Sequence, residues 1–249
     1  MATEFVSAKQ TPTETTTIRV SVRELAEVTR WAFVAAGCSA GEAAVAGRIV
    51  QRAEVQSGWG VAAAIRELMS HRFSSEPIRR VPGPIETIDD QHGRGLLTLG
   101  PLAAALASAR GVGGGAVVIR DMAWHPVVGC ILVDALHSSA PNPNSLAAWP
   151  LPAHGVRLAT DQGVVAHADS VATAGFDPQF MEPPTQQRVG SLAGTAGPNG
   201  GIAFATVSPV LISTSPESEA DALASGVHVD LSDWTFLYEA AQRFLVDES

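Results

Sequence analysis

Two capping boxes stand close together near the start of this chain, Ser21-Val22-Arg23-Glu24 and Ser39-Ala40-Gly41-Glu42. In each, the serine hydroxyl can accept from the backbone three residues on while the glutamate reaches back, so each marks a helix start. Leu25, Val28, Ala32 and Ala35 follow the first at helical spacing, and Ala46, Ile49 and Val50 follow the second. The spacing predicts one helix ending at Gly37 and a second running toward Val55, packed as a hairpin. That start commits the chain to burying helices against something else. Residues 61–119 supply the covering layers: a third helix over Val61 to His71, a strand at Ile85 to Ile88, a turn-rich passage from Gly93 to Gly100, a helix from Pro101 to Arg110, and a buried strand at Ala116 to Ile119. A further apolar helix is expected from Val127 to His137.

Pro141, Pro143, Pro150 and Pro152 then read as an irregular connection. Beyond it short strand patterns prevail, at Val164 to Val171, Gly201 to Val207 and Val210 to Ser213, before a last amphipathic helix opened by Leu231-Ser232-Asp233 and running through Phe244. The expected organisation is a disordered tail over residues 1–17, a helical and α/β lobe over 18–140, and a strand-rich lobe over 141–249. The fold class is α/β (α+β), with the N-terminal hairpin packed on a mixed sheet.

Charge and residue usage exclude several functions. A net charge of -9, with a single lysine, Lys9, offers no basic stripe for nucleic acid. The same scarcity argues against a pyridoxal Schiff base or a phosphate-binding lysine loop, since Lys9 lies in the tail. No apolar run approaches the roughly 18 residues that a membrane span needs. The N-terminus has none of the marks of a secretory signal, so a cytoplasmic protein is expected. Cys38 and Cys130 form no CxxC pair, and the histidines fall into no metal-binding spacing, so no metal site is expected.

Some motifs match only in form. Gly37-Cys38-Ser39-Ala40-Gly41 fits a nucleophile elbow but joins two predicted helices, where Ser39 is better read as an N-cap. Gly111-Val112-Gly113-Gly114-Gly115-Ala116 fits a dinucleotide fingerprint but follows a helix and leads into a strand, so it aims no helix N-terminus at a pyrophosphate. Asp89-Asp90-Gln91-His92 sets two carboxylates beside an imidazole, either a proton-transfer group or a solvated turn.

Taken as one piece, Ile88 to Ser138 resembles the NAD(P)-dependent malate/L-lactate dehydrogenase family: Asp89-Asp90-Gln91-His92-Gly93-Arg94-Gly95 for its D-G-x-x-G-x-G turn, then the helix to Arg110, then Val117-Val118-Ile119-Arg120 for its V-V-x-V-R strand. Upstream, Ala53 to Arg66 is similar to the segment holding the family's S-H-G, and the likeness covers Ser21 to Ser138. The resemblance implies a homodimeric enzyme, with a cofactor fold that is not a Rossmann domain, reducing small 2-oxo acids or cyclic imines with NAD(P)H. The departures fall on the chemistry. Gly58-Trp59-Gly60 replaces S-H-G, and Ala62 or Ala63 replaces the substrate-facing arginine, with Arg66 one helical turn on as a substitute or as a solvated partner of Glu67. Met122-Ala123-Trp124-His125-Pro126 replaces S-N-H-F-G, moving the histidine one place late. His125, His92 and Asp90 are therefore the candidate catalytic residues, and Trp59, Arg66, Arg120 and Trp124 the candidate substrate contacts. Tryptophan at both polar positions suits a flatter, less charged ligand. The expected function is a repurposed, cofactor-independent enzyme acting on a small organic molecule; the alternatives are an NAD(P)H-dependent reductase and a non-catalytic binding or partner subunit.

Overall fold

A computed structural model describes residues 16–70, 73, 77–83, 85–89, 93–111, 116–138, 145–151, 156–159, 165–168, 200–207 and 217–246. The hairpin forms as expected. Helix α1 (Val22–Ala35) starts where the Ser21 hydroxyl accepts from the Glu24 amide, and α2 (Ala40–Ser57) starts at a full capping box between Ser39 and Glu42. Leu25, Phe33, Ala46, Ile49 and Val50 are all buried, as the helical periodicity requires. Helix α3 (Gly60–Ser70) follows after a single turn at Gly58.

Strand β1 (Thr17–Val20) precedes the hairpin, so Thr17 belongs to a strand and not to the tail. After α3 come β2 (Arg79–Val81), β3 (Ile85–Asp89), α4 (Leu96–Arg110), β4 (Ala116–Arg120) and α5 (Val128–Ser138). Then follow β5 (Ser145–Leu151), β6 (Val156–Ala159), β7 (Val165–Ala168), β8 (Gly201–Val207), α6 (Glu217–Ser225), β9 (Val227–Asp230) and α7 (Leu231–Val246). The expected strand at Val210 to Ser213 lies outside the described residues.

Two expectations are corrected. Helix α4 begins at Leu96, so Pro101 lies inside it and part of the expected turn passage is helical. The turn ahead of the proline is held by fully buried Leu97 and Leu99 and by the Glu67 carboxylate, which accepts from the Leu97 amide. This outweighs the hydrogen bond that proline removes. Likewise, the proline-rich connection is in part a strand, since β5 pairs along its whole length with β8.

The main sheet has the order β2-β3-β4-β8-β5-β6-β7. Among the described strands only β3 and β4 run parallel, and α4 connects them; the other pairings are antiparallel. Because β8 inserts between β4 and β5, strands from both halves of the chain share this one sheet. Val117, Val118 and Ile119 on β4 are fully buried, as befits a strand covered on both faces. Helices α4 and α5 pack against each other and against the sheet, while α1 packs along α7, beside the small ladder of β1 with β9. No described helix is long and apolar enough to cross a membrane.

Buried ion pairs tie these layers together. Glu86 on β3, with its side chain only 4% exposed, accepts from Arg80 on β2 and from Arg110 on α4 at 2.7 Å, and the two guanidinium groups hold its carboxyl below the usual range. Replacing it by glutamine keeps the volume and removes the charge from two charge-assisted hydrogen bonds. Glu86→Gln is expected to cost about 2 kcal/mol in urea unfolding; a loss below about 0.5 kcal/mol, the range of a surface pair, would show that Glu86 is not the clamp.

Candidate functional site

The parallel pair sets the geometry. In open α/β sheets, ligands bind beyond the carboxyl ends of parallel strands, where the chain turns back. Here β3 ends at Asp89 and β4 at Arg120, whose guanidinium lies 3.9 Å from the Asp89 carboxylate. Asp121 then takes a left-handed backbone with φ 55°, which aspartate tolerates better than most residues, and its amide donates to Gly200 at the start of β8. This turn leads from the end of β4 through Met122 to Val127 into α5.

Within that segment Trp124 is half-buried against the core and His125 is buried. The Val127 amide donates to His125 Nδ1 at 3.2 Å. Burial, followed by the nearby cation of Arg66, pushes the imidazole down to about 4, so it is neutral at physiological pH. Arg66 itself is on the exposed face of α3. The fold thus sets the charge of Arg66 where it acts on His125, from elements far apart in sequence, and places Arg120 beside Asp89. Trp59 stands at the α2–α3 junction, 54% exposed. Asp90 and His92 lie outside the described residues.

Glu67 is not the solvated partner of Arg66 that its place in the sequence suggests. It is 4% exposed and its carboxylate accepts from the Leu97 amide at 2.8 Å, with the Leu96 and Thr98 amides also turned toward it. It fills the N-terminus of α4. Burial raises its carboxyl to about 7, against the opposing pull of those amides and of Arg66. The carboxyl packs where Gly95 lacks a side chain: a Cβ there would lie 2.1 Å from Glu67 Cδ. No local pattern announces this, because the partner amides are thirty residues away. Cys38 feels the same cluster, its thiol pushed up to about 12 by burial and then by Glu42 and Glu67, which makes it an inert core residue.

No protein-family model and no curated protein matches the sequence. Solved structures do match this mixed α/β fold with its N-terminal helical hairpin. The malate dehydrogenase of Pyrococcus horikoshii OT3 is similar over 96% of this chain and 99% of its own, at 15% identity and a TM-score of 0.61. The sulfolactate dehydrogenase of Methanocaldococcus jannaschii covers 91% and 97% at 12% identity, with a TM-score of 0.56. The delta1-piperideine-2-carboxylate reductase of Pseudomonas syringae covers 90% and 99% at 13% identity, with a TM-score of 0.52. The chain therefore has the malate/L-lactate dehydrogenase fold, and the likeness reaches well past Ser138, where the sequence resemblance stopped.

That fold implies NAD(P)H, whose phosphates need free backbone amides or cations. Among the described residues, the N-termini of six helices already have an acceptor supplied by the chain itself. Ser21 and Ser39 cap α1 and α2, Glu54 accepts from Val61 at the start of α3, Glu67 fills α4, and Asp230 accepts from Ser232 and Asp233 at the start of α7. At α5 the first amides bond to His125, Pro126 and Val127. The glycine run begins at Gly111, after α4, and its residues 112–115 lie outside the described ones.

Proposed function

We propose that this malate/L-lactate dehydrogenase-like protein performs cofactor-independent chemistry on a small organic molecule. The ligand sits at the carboxyl edge of β3 and β4, between His125, Arg66 and Arg120, with Trp124 as its apolar wall. Asp90 and His92 in the segment after β3, and Trp59 on the α2–α3 junction, complete the set of candidates. The supporting observation is a buried neutral imidazole just beyond the end of β4, within reach of the charge of Arg66, in a protein where the chain itself supplies an acceptor at the N-termini of α1 to α5 and α7. Arg66 is suited to hold an anionic group of the ligand, and a neutral imidazole can act on a polar oxygen beside it. The protein works in the cytoplasm as a homodimer, with neither nucleic acid nor membrane as partner.

A second reading, an NAD(P)H-dependent reductase, has one specific observation in its favour: the solved neighbours include a malate dehydrogenase and a carboxylate reductase. Titration with NADH and NADPH, followed by tryptophan fluorescence, separates the two. The expected result is no saturable binding at millimolar cofactor, with turnover of one member of a panel of small carbonyl acids in its absence. Arg66→Gln is expected to weaken binding of that compound about tenfold, the scale of one charge-assisted hydrogen bond. Saturable nicotinamide binding would establish the reductase instead, and neither binding nor turnover would leave a non-catalytic partner subunit.

A further inference from the structure

We infer that His125 serves the site as a fixed neutral tautomer, presenting Nε2–H as a hydrogen-bond donor to a ligand oxygen, and does not act as a general base. This role rests on the proposed site and gives one of its residues a definite part in it.

A backbone amide can only donate, so the Val127 N–H directed at His125 Nδ1 requires that nitrogen to carry a lone pair. The neutral ring must then hold its proton on Nε2. Three features keep it there. The residue is 8% exposed, so a second proton would be poorly solvated. The start of α5 turns the positive end of its peptide dipoles toward the ring. Arg66, the charged group that acts on the imidazole, is a cation and opposes a further positive charge. Among the described residues Nε2 has no hydrogen-bond partner, which leaves one donor available at the strand ends.

A donor of this kind is matched to an oxygen that carries or gains negative charge, and it needs no proton transfer to stabilise it. Proton abstraction would have to come from another group. The ligand class this implies is one with a carboxylate or a polarisable carbonyl oxygen, shared between Nε2–H and the Arg66 guanidinium.

The test is nitrogen NMR of the full-length labelled protein. From pH 8 to 5 the expected His125 spectrum is that of a neutral ring with a protonated Nε2 and a bare Nδ1. A protonated ring at pH 6, or the Nδ1–H tautomer, would overturn the inference without bearing on whether a ligand binds. Acetate and pyruvate are then added as probes, with a selective shift of the Nε2 resonance expected. If neither perturbs a correctly assigned Nε2–H, the donor role is overturned and the residue is only the cap of α5. His125→Ser keeps a cap acceptor for the Val127 amide and lacks the donor; it is expected to fold and to bind pyruvate at least tenfold more weakly. Unchanged binding by that variant would likewise overturn the role.

Discussion

Gly60→Ala is expected to lower stability by on the order of 3 kcal/mol or more in urea unfolding. The added Cβ would lie 2.0 Å from the Val50 carbonyl oxygen and 2.6 Å from the Glu54 nitrogen. Both are backbone atoms inside α2, so no side chain can swing aside. The first turn of α3 is bound to that same flank, because the Glu54 carboxylate accepts from the Val61 amide at 2.8 Å. Displacing the turn would therefore break the capping as well. Two neighbours serve as controls. Gly58 has φ 65° but open space around it, so Gly58→Ala should cost only the left-handed penalty of about 1 kcal/mol. Gly41 has neither constraint, and Gly41→Ala in the first turn of α2 should be neutral or stabilising by up to about 1 kcal/mol. If the three alanine variants were equally stable, the close docking of α3 on α2 would be wrong.

Glu67 and His125 should tilt the pH dependence of stability in opposite directions. The Glu67 carboxyl is raised from 4.5 to about 7 on folding. Between those values the folded state holds a proton that the unfolded state has released, so its contribution is full below pH 4.5 and is lost as pH rises through 7. By linkage the change is about 3 kcal/mol. His125 is lowered from 6.5 to about 4. There the unfolded state binds the extra proton, so the contribution is full above pH 6.5 and is lost as pH falls through 4. The two slopes oppose each other between pH 4.5 and 6.5, and the wild type hides both. Glu67→Gln removes one of them, so its stability relative to wild type should improve by up to about 3 kcal/mol from pH 4.5 to 7.5. His125→Ser should gain on wild type in the reverse direction, toward acid. Urea unfolding of the three proteins at half-unit pH steps decides it; parallel curves would mean that neither group titrates abnormally.

What the sequence disclosed and what it withheld divide along range of interaction. Ser21, Ser39 and Glu42 act within one turn, and the apolar repeats of α1 and α2 act within one helix, so both helices were legible. Strand β8 was legible from its run of apolar residues, but not its insertion between β4 and β5, because pairing partners leave no mark on a single strand. The start of α4 was hidden for the same reason: Pro101 is a local stop signal, and the buried carboxylate that overrides it comes from α3. At the site, His125 and Arg66 were identifiable by their offsets from a resembled pattern. The effect of Arg66 on His125 and the burial of Glu67 are products of tertiary packing.

The ladder of β1 with β9 bears on how the protein is synthesised. Thr17 pairs with Asp230 and Val20 with Val227, and α1 lies along α7. While the chain is being translated, β1 and α1 therefore emerge without these partners, which lie about 200 residues further along the chain. Contacts of such long sequence separation form slowly, and exposed apolar surface invites aggregation in the interval. The ribosome must release the segments through β9 and α7 before this layer can close, so the nascent helical hairpin is in need of a chaperone.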